Sequence, residues 1–309
     1  MKRTLLVAAM ALVSASAFAQ SSVNVYGRVN LTVENEKIGT AGRTTSLNNN
    51  SSRIGFKGSE DLGGGMKASF VLEHGFDPST GAANSRFWGR ESTVSLSGGF
   101  GRVMLGKPAA NEAYFATVDY VSMHNHDTGS SSDALSGIPG ATFGIDNSIS
   151  YYSPNLGGLN FAVQTGEQVA GSRPLVIASN YDAGPMHLGL GYAKHLTAKS
   201  LGLRALYEMG AFTVGGYYER GTGGTADSNK GNALRLAGMY AMGASEFHLN
   251  VGRLTGTTNA ARKNGNQYTL GYNYNLSKRT KVYGYYTNLN VTGSASDYSS
   301  FALGVRHNF

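Results

Sequence analysis

Positively charged side chains recur at even spacing in stretches that otherwise alternate between apolar and small residues. Arg53 and Lys57 are four residues apart and are interleaved with Ile54 and Phe56. In an extended strand, residues separated by an even number share a face, so both cations lie opposite the apolar side chains. By the same parity Arg28 shares a face with Tyr26. The spacing therefore predicts fixed positive charges along one side of neighbouring strands.

Acidic residues, in contrast, gather in residues 107–146, a long segment without a repeating apolar pattern. A segment of this length inside an ordered protein is usually functional or disordered. Carboxylates that face cations across a narrow aqueous gap create a transverse field, which orients polar solutes and biases ion passage. By its spacing after Lys107, Asp119 is the first candidate and Asp127 the second. The predicted acidic set is Glu112, Asp119, Asp127 and Asp133.

Bond-making chemistry finds little support in the sequence. Residues 101–107 match the first part of a phosphate-binding loop, but Pro108 replaces the required Ser or Thr. The histidines of 124–127 have no third or fourth ligand at the spacing of a closed metal site. No G-x-S-x-G turn holds a nucleophile. We therefore predict neither an enzyme nor a cofactor or metal.

The charged residues belong to many short strands whose residues alternate in character. The alternation recurs at 159–164, 186–193, 201–208, 268–276 and 301–309. One face is apolar, whereas the other carries Gly, Asn, Gln, Thr and Arg and is too polar for a dry core. Apolar-out and polar-in strands of about ten residues are typical of transmembrane β-barrels. An open sheet edge cannot lie in hydrocarbon, so the sheet must close around a polar, water-filled lumen.

Connection lengths give the number of strands. Seven tight turns are predicted at 61–65, 97–99, 154–158, 182–185, 209–211, 242–245 and 277–280. Eight longer loops are predicted at 35–48, 76–85, 107–146, 166–173, 194–199, 220–230, 254–265 and 290–297. Together these connections predict an all-β, antiparallel barrel of sixteen strands with short periplasmic turns and longer outer loops.

The N-terminus and the composition indicate export. A charged start, an apolar run at 5–13 and the Ala-Phe-Ala of 17–19 predict a signal peptide at 1–19 and one barrel domain at 20–309. The chain has 43 Gly, 18 Tyr, only 6 Pro and no Cys, which favours strands and excludes a disulfide framework. Its formal net charge is +7, but no block of Lys and Arg indicates nucleic-acid binding.

Several motifs resemble the general diffusion porins of Gram-negative bacteria. They are VYGR at 25–28, SRIGFKGSEDLGGG at 52–65, STVSLSG at 92–98, ISYYSP at 149–154 and the closing GVRHNF at 304–309. The likeness runs from Val23 to Phe309 and is greatest to the β-proteobacterial branch of the Neisseria, Comamonas and Burkholderia type. The GSEDLGGG turn together with a terminal aromatic residue is its most specific part.

This resemblance implies a homotrimer in the outer membrane, in contact with its lipid and lipopolysaccharide, whose third outer loop, residues 107–146, folds inward. It implies that the barrel-assembly machinery reads Phe309 and that the loop at 76–85 reaches over a neighbouring subunit. The basic wall corresponds to Arg28, Arg53 and Arg90, joined by Lys57. Many relatives carry one further Arg where this chain has Gly-Ile-Asp at 144–146, so only a mild anion preference is expected.

Three functions remain open from the sequence. A passive trimeric pore for ions and small hydrophilic solutes is the first. A substrate-specific channel would need an aromatic path for its solute, and segment 107–146 offers only a few aromatic residues. A structural or adhesive barrel would need a plugged lumen or long repetitive loops, neither of which is visible in the sequence.

Overall fold

The structure is a computed structural model that describes residues 22–119, 134–135, 145–223, 229–256, 264–291 and 297–309. Its strands are β1 (Ser22–Ile38), β2 (Thr44–Asn49), β3 (Arg53–Gly63), β4 (Met66–Asp77), β5 (Ala82–Ala83), β6 (Glu91–Gly98), β7 (Gly101–Lys107), β8 (Ser148–Tyr152), β9 (Leu159–Thr165), β10 (Leu175–Ala183), β11 (Met186–His195), β12 (Ala198–Met209), β13 (Phe212–Gly223), β14 (Asn229–Met242), β15 (Ser245–Thr255), β16 (Gly265–Asn275), β17 (Thr280–Val291) and β18 (Tyr298–Asn308). None of the helices among these residues is long and apolar enough to cross a membrane.

These elements form one closed antiparallel barrel. β2 and β3 follow one another along β1 as a single barrel strand, and the two-residue β5 pairs only with the end of β4. Closure is made by β1 and β18, which pair from Arg28 opposite Asn308 to Ile38 opposite Tyr298. The predicted closed, sixteen-stranded, all-β barrel is confirmed.

The two faces of the sheet differ as the alternation predicts. On β16, Leu270 is 60% exposed, whereas the next residue towards the N-terminus, Thr269, is only 1% exposed. On β18, Leu303 is 60% exposed and Ala302 is fully buried. The exposed apolar face surrounds the barrel, and the Asn, Gln, Thr and Ser side chains turn towards its lumen.

A one-residue bulge separates β2 from β3. Leu31 lies opposite Asn49, but Arg28 lies opposite Arg53, so two residues of β1 face three residues of the partner strand. Within the bulge Ser51 has a φ of 56°. The backbone N–H of Asn30 donates to Ser52 Oγ at 3.0 Å and its side-chain amide donates to the Asn50 carbonyl at 3.1 Å. The extra residue reverses the parity of the strand, and as a result Arg53 faces the lumen.

All seven predicted tight turns join neighbouring strands, but several predicted outer loops have the wrong bounds. The loop predicted at 220–230 is limited to 224–228 by β13 and β14, and the connection predicted at 76–85 extends to the start of β6. The loop predicted at 35–48 shrinks to 39–43, because β1 continues to Ile38 and β2 starts at Thr44. The loop predicted at 194–199 is a tight turn at 196–197, since Lys194 pairs with Lys199 and His195 with Ala198. Polar residues at the end of a strand favour the prediction of a loop from the sequence. Here they instead continue the pairing with the neighbouring strand.

Candidate functional site

Arg28 and Arg53 form the centre of a charged patch on the lumen wall. They lie opposite each other on β1 and β3. Arg28 is 8% exposed, and its Nε lies 3.4 Å from Oδ1 of Asn308 on the other neighbouring strand. Arg53 Nη1 donates to the Ser51 carbonyl at 3.3 Å, which ties the guanidinium to the bulge that turns it inward.

Glu73 of β4 joins two arginines of this wall, and sequence reasoning missed it. Its Oε1 lies 2.6 Å from Arg90 Nε, and its Oε2 lies 3.5 Å from Arg53 Nε. The hydroxyl of Tyr26 also donates to Oε2 at 3.0 Å. Ser69, Val71 and Glu73 share one face of β4 and alternate with apolar residues. This pattern could have revealed the inward carboxylate. The wall is therefore less positive than the arginines alone indicate.

Two further residues complete the patch. Glu91 of β6 lies opposite Glu73 and accepts a hydrogen bond from Thr93 Oγ1 at 2.9 Å. It is a second carboxylate that the sequence analysis did not select. Lys57 lies further along β3, with its Nζ 4.9 Å from the ring centre of Tyr26, a cation–π distance. Lys57 has the predicted face and lies opposite Val71 of β4, two residues from Glu73.

The described start of the predicted loop, residues 108–119, contains a short helix, α1 (Glu112–Tyr114), and a π-helical turn at Phe115–Asp119. Asn111 caps α1, because its side-chain oxygen accepts the backbone N–H of Tyr114 at 2.9 Å. Ala113 packs with Val176 and Ala193, and Ala116 packs with Ala162 and Ala178. These partners are small residues on the lumen side of β9 to β11.

Glycines on the wall make room for this segment. A Cβ at Gly189 would lie 2.0 Å from the carbonyl oxygen of Ala116, and one at Gly191 would lie 2.6 Å from that of Ala113. No side chain fits at either position without displacing backbone. The alternation of Gly with large apolar residues on β11 therefore lets a second layer pack inside the barrel.

Glu112 is the one predicted loop acid whose side chain is described, and it lies against the wall. Its Oε1 accepts a hydrogen bond from the Tyr152 hydroxyl at 2.5 Å. The guanidinium of Arg102 lies over the ring of Tyr152, 3.9 Å from its centre. Burial raises the pKa of Glu112 above its ordinary value of 4.5, although the Tyr152 hydrogen bond and the charge of Arg102 act in the opposite direction. Glu112 is thus a lumen carboxylate that takes up a proton early as pH falls.

The other predicted acids cannot be assigned contacts. Asp119 ends the π-helical turn, and its side chain lies outside the described residues. Asp127 and Asp133, and the histidine pair of 124–127, also lie outside them. Among the residues that are described, no three His, Asp or Glu side chains gather as metal ligands would.

The wall beyond the segment carries buried charges that the sequence analysis did not select. Arg204 Nη2 donates to the Leu188 carbonyl at 2.7 Å and to Asn180 Oδ1 at 3.0 Å. Further round the barrel, Gln267 Oε1 accepts from Arg235 Nη2 at 3.2 Å and from the backbone N–H of Ala134 at 3.0 Å. The second described part of the loop, 134–135, thus contacts the wall at β16.

The predicted assembly residue Phe309 lies at the seam of the barrel. Its backbone N–H donates to the Gly27 carbonyl at 3.1 Å and its carbonyl accepts the Gly27 N–H at 3.0 Å. A Cβ at Gly27 would lie 2.4 Å from the Phe309 ring. The terminal aromatic ring therefore occupies the space of a missing side chain on the first strand.

A closed barrel with an apolar exterior and a polar, charged lumen is the architecture of an outer-membrane channel. Residues 6–294 match the Gram-negative porin family. A porin of Delftia acidovorans, outer membrane porin protein 32, is 32% identical over 92% of this chain and 88% of its own length. An outer membrane porin of Bordetella pertussis is 25% identical over the whole of both chains.

Among solved structures, the anion-selective porin from Comamonas acidovorans superposes with a TM-score of 0.75 at 26% identity, covering 94% of this chain and all of that one. The chain belongs to the Gram-negative porin family. It is a general diffusion porin of the outer membrane, a channel and not an enzyme.

Proposed function

We propose that this porin is a homotrimer whose three pores pass small hydrophilic solutes and ions passively, with a mild preference for anions. Arg28, Arg53 and Arg90 supply the positive wall of each constriction, with Lys57 as an outlying member. The observation that carries this assignment is the sharing of Glu73 by Arg53 and Arg90, at 3.5 and 2.6 Å. The carboxylate holds both guanidinium groups on the lumen side while cancelling part of their charge.

The mildness of the preference follows from the acids on the same wall. Glu73 and Glu91 lie opposite each other beside the arginines. At physiological salt a charge is screened beyond about 8 Å, so a passing ion senses the local sum of these charges. The absence of an Arg at 144–146 acts in the same direction. A porin with a wall of arginines alone would discriminate more strongly.

Segment 107–146 narrows the lumen in this proposal, with Glu112, Asp119, Asp127 and Asp133 as its acids. Support comes from its two described parts, which contact different stretches of the inner wall. Ala113 and Ala116 pack against β9 to β11, whereas Ala134 bonds to Gln267 of β16. Leu135 is 3% exposed and belongs to an apolar cluster with Tyr217 and Leu254.

The trimer is supported by an aromatic pair before β6, the exposed Phe87 and the half-buried Trp88. Phe87 stacks on His74 with ring centres 4.4 Å apart, and Trp88 meets Phe56 edge-on at 6.1 Å. His74 and Phe56 have the parity of the outer face, and Phe87 remains 61% exposed. Such an aromatic pair beside the loop at 76–85 suits contact with a neighbouring subunit. We also assign 1–19 to a cleaved signal peptide, Phe309 to recognition by the barrel-assembly machinery, and the outer face to lipid and lipopolysaccharide.

The zero-current reversal potential in a salt gradient tests the proposed selectivity, and liposome swelling with graded sugars tests passive passage. We expect a modest potential of anion-selective sign and an entry rate that falls smoothly with sugar size. A saturable, preferred solute would instead indicate a substrate-specific channel. A potential of cation-selective sign would remove the arginine wall from its assigned role.

A further inference from the structure

Glu34 of β1 is a lumen-side carboxylate that is fully buried at the seam of the barrel. Its Oε1 accepts hydrogen bonds from Thr32 Oγ1 and from the Tyr285 hydroxyl, both at 2.7 Å. Its Oε2 accepts a hydrogen bond from Ser300 Oγ at 3.1 Å. A buried charge destabilises a fold unless hydrogen bonds or other charges compensate for it, and three hydroxyl donors converge on this one. A permeating ion does not contact Glu34, so any effect of this carboxylate on the pore passes through its neighbours.

As a carboxylate, Glu34 can only accept hydrogen bonds, and it thereby fixes the direction of the bonds that lead away from it. Thr32 gives its one hydroxyl proton to Glu34 and accepts, at 2.9 Å, from the side-chain amide of Asn50. The same amide donates to the Tyr283 hydroxyl at 3.2 Å, and that hydroxyl donates to Asn30 Oδ1 at 2.6 Å. The residues linked in this way, here called the seam network, are Thr32, Glu34, Asn50, Tyr283, Tyr285 and Ser300.

The seam network ends at the bulge between β2 and β3. Asn50 directly precedes Ser51, the residue with positive φ. The backbone N–H of Asn50 donates to the Asn30 carbonyl at 2.8 Å, and the Ser52 hydroxyl donates to the same carbonyl at 3.3 Å. Asn50 is 3% exposed, and an amide this buried is left unsatisfied when it loses a partner, which costs free energy. The orientation of the Asn50 amide is therefore coupled to the position of the extra residue.

We propose that the seam network positions Arg53, with Glu34 as the acceptor that fixes the direction of its hydrogen bonds. Loss of the extra residue from the bulge would reverse the parity of the strand and turn Arg53 away from the lumen. The inference rests on the proposed role of Arg53 in the constriction. It makes Thr32 and Glu34 positioning residues for ion selectivity, although a permeating ion meets neither of them.

The test compares thiol labelling at positions 53 and 54 in two single-cysteine variants of the folded porin, Arg53→Cys and Ile54→Cys. The reagent is water-soluble and does not cross membranes. Thr32→Val is then added to both, which removes the hydroxyl between Asn50 and Glu34 without a change in charge. We expect the labelling rate at position 53, relative to that at position 54, to fall roughly two- to tenfold, the change in population that one buried hydrogen bond supports.

Thr269→Val is the matched control, because Thr269 is another buried threonine of the lumen wall. It is 1% exposed and shares a hydrogen bond of 2.9 Å with Thr287. This control should lose stability as Thr32→Val does but keep the labelling ratio of the wild type. Thr32→Ser retains the hydroxyl and should also keep that ratio. Tyr285→Phe removes a different donor to Glu34 and should shift the ratio in the same direction, so it serves as the test if Thr32→Val yields no folded barrel.

A wild-type labelling ratio in Thr32→Val and Tyr285→Phe would overturn the proposal, and so would an equal shift in the Thr269→Val control. The labelling ratio does not depend on whether Arg53 selects ions. The reversal potential tests that role separately, and we expect Thr32→Val to lower the anion-to-cation permeability ratio without any change in charge. A shifted labelling ratio together with a wild-type potential in Arg53→Ala would leave the positioning intact and exclude Arg53 from selectivity.

Discussion

Arg28 and Arg53 lie directly opposite each other on adjacent strands with both guanidinium groups on the lumen side. Like charges at opposed positions destabilise a sheet by up to about 1 kcal/mol. The carboxylate of Glu73, 3.5 Å from Arg53, offsets part of this repulsion. The arrangement concentrates positive charge at one level of the lumen at some expense in stability.

Removal of the wall arginines should change ion selectivity. Arg53→Ala with Arg90→Ala deletes two positive charges and leaves Glu73 without its two ion-pair partners. We expect the anion-to-cation permeability ratio to fall roughly two- to fivefold, since screening limits each charge to about 10 Å at 0.1 M salt. Reversal potentials in planar bilayers measure this ratio. Glu73→Gln is the matched variant and should raise it, and an unchanged potential in the double variant would exclude both arginines from the constriction.

Acidification should strengthen anion preference through Glu112. Its pKa is raised by burial, so the carboxyl becomes neutral at a higher pH than an exposed glutamate does. Because the pKa of Glu112 is higher in the folded state, this residue stabilises the fold fully below its unfolded-state pKa. That contribution to the free energy of folding is lost as pH rises through the folded-state pKa. We expect the permeability ratio for anions to start increasing, as pH falls, while the pH is still above 4.5, the ordinary pKa of a glutamate. Glu112→Gln should have the higher ratio already at neutral pH and a flatter profile, and a wild-type profile in this variant would contradict the assignment.

The bulge at Ser51 can be tested by thiol labelling, because the chain contains no cysteine. In an Arg53→Cys background, a water-soluble reagent should modify the new thiol from the lumen. Additional deletion of Ser51 should turn position 53 towards lipid and suppress labelling, while Ile54→Cys should become reactive in its place. Because Ser51 has a φ of 56°, Ser51→Gly should be tolerated. Ser51→Val should lower the free energy of unfolding, measured in urea, by about 1–3 kcal/mol. Unaltered labelling after the deletion would show that the strand keeps its register by another route.

Barrel closure should depend on the absence of a side chain at Gly27. A Cβ there would lie 2.4 Å from the Phe309 ring and 2.5 Å from the Arg53 carbonyl oxygen. We expect Gly27→Val to reduce the yield of folded barrel and to lower its free energy of unfolding by about 1–3 kcal/mol. Heat-modifiable gel mobility after refolding measures both. Gly238→Ala, where a Cβ meets nothing within 4 Å, is the control and should behave as the wild type.

Subunit association should weaken when the aromatic pair of Phe87 and Trp88 is lost. Trp88→Ala with Phe87→Ala removes rings that contact Phe56 and His74 on the outer face. We expect the oligomer to dissociate at a lower temperature on semi-native gels while monomer unfolding changes little, because hot-spot aromatics dominate interface energy. Tyr240→Ala on the outer face of β14 is a matched aromatic control. Equal effects of the two substitutions would indicate a general loss of barrel stability.

The sequence predicts most of the barrel because the physics that enforces it is local. A strand between lipid and water must alternate, so a period of two identifies strands, faces and the lumen orientation of Arg53 and Lys57. The same rule applied to β4 would have identified Glu73, and applied to β6 it would have identified Glu91. Neither glutamate is among the predicted acids, because those predictions rest on the long loop alone.

Other parts of the site depend on partners far away in the chain and have no local signal. The bulge at Ser51 is defined by the register of β1, which leaves the sequence of 50–52 without a diagnostic pattern. The short turn at 196–197 follows from the pairing of Lys194 with Lys199, two residues that read as loop. The hydrogen bond between Ala134 and Gln267 joins residues more than a hundred positions apart.

Gly189 and Gly191 leave no side chains on β11 where α1 packs against it. The helix therefore sits as far from the axis of the channel as a backbone allows. Each methyl group added at these two positions would displace the helix towards the open part of the lumen. In the proposed pore, the width of the lumen would thus depend on residues that do not contact a permeating molecule.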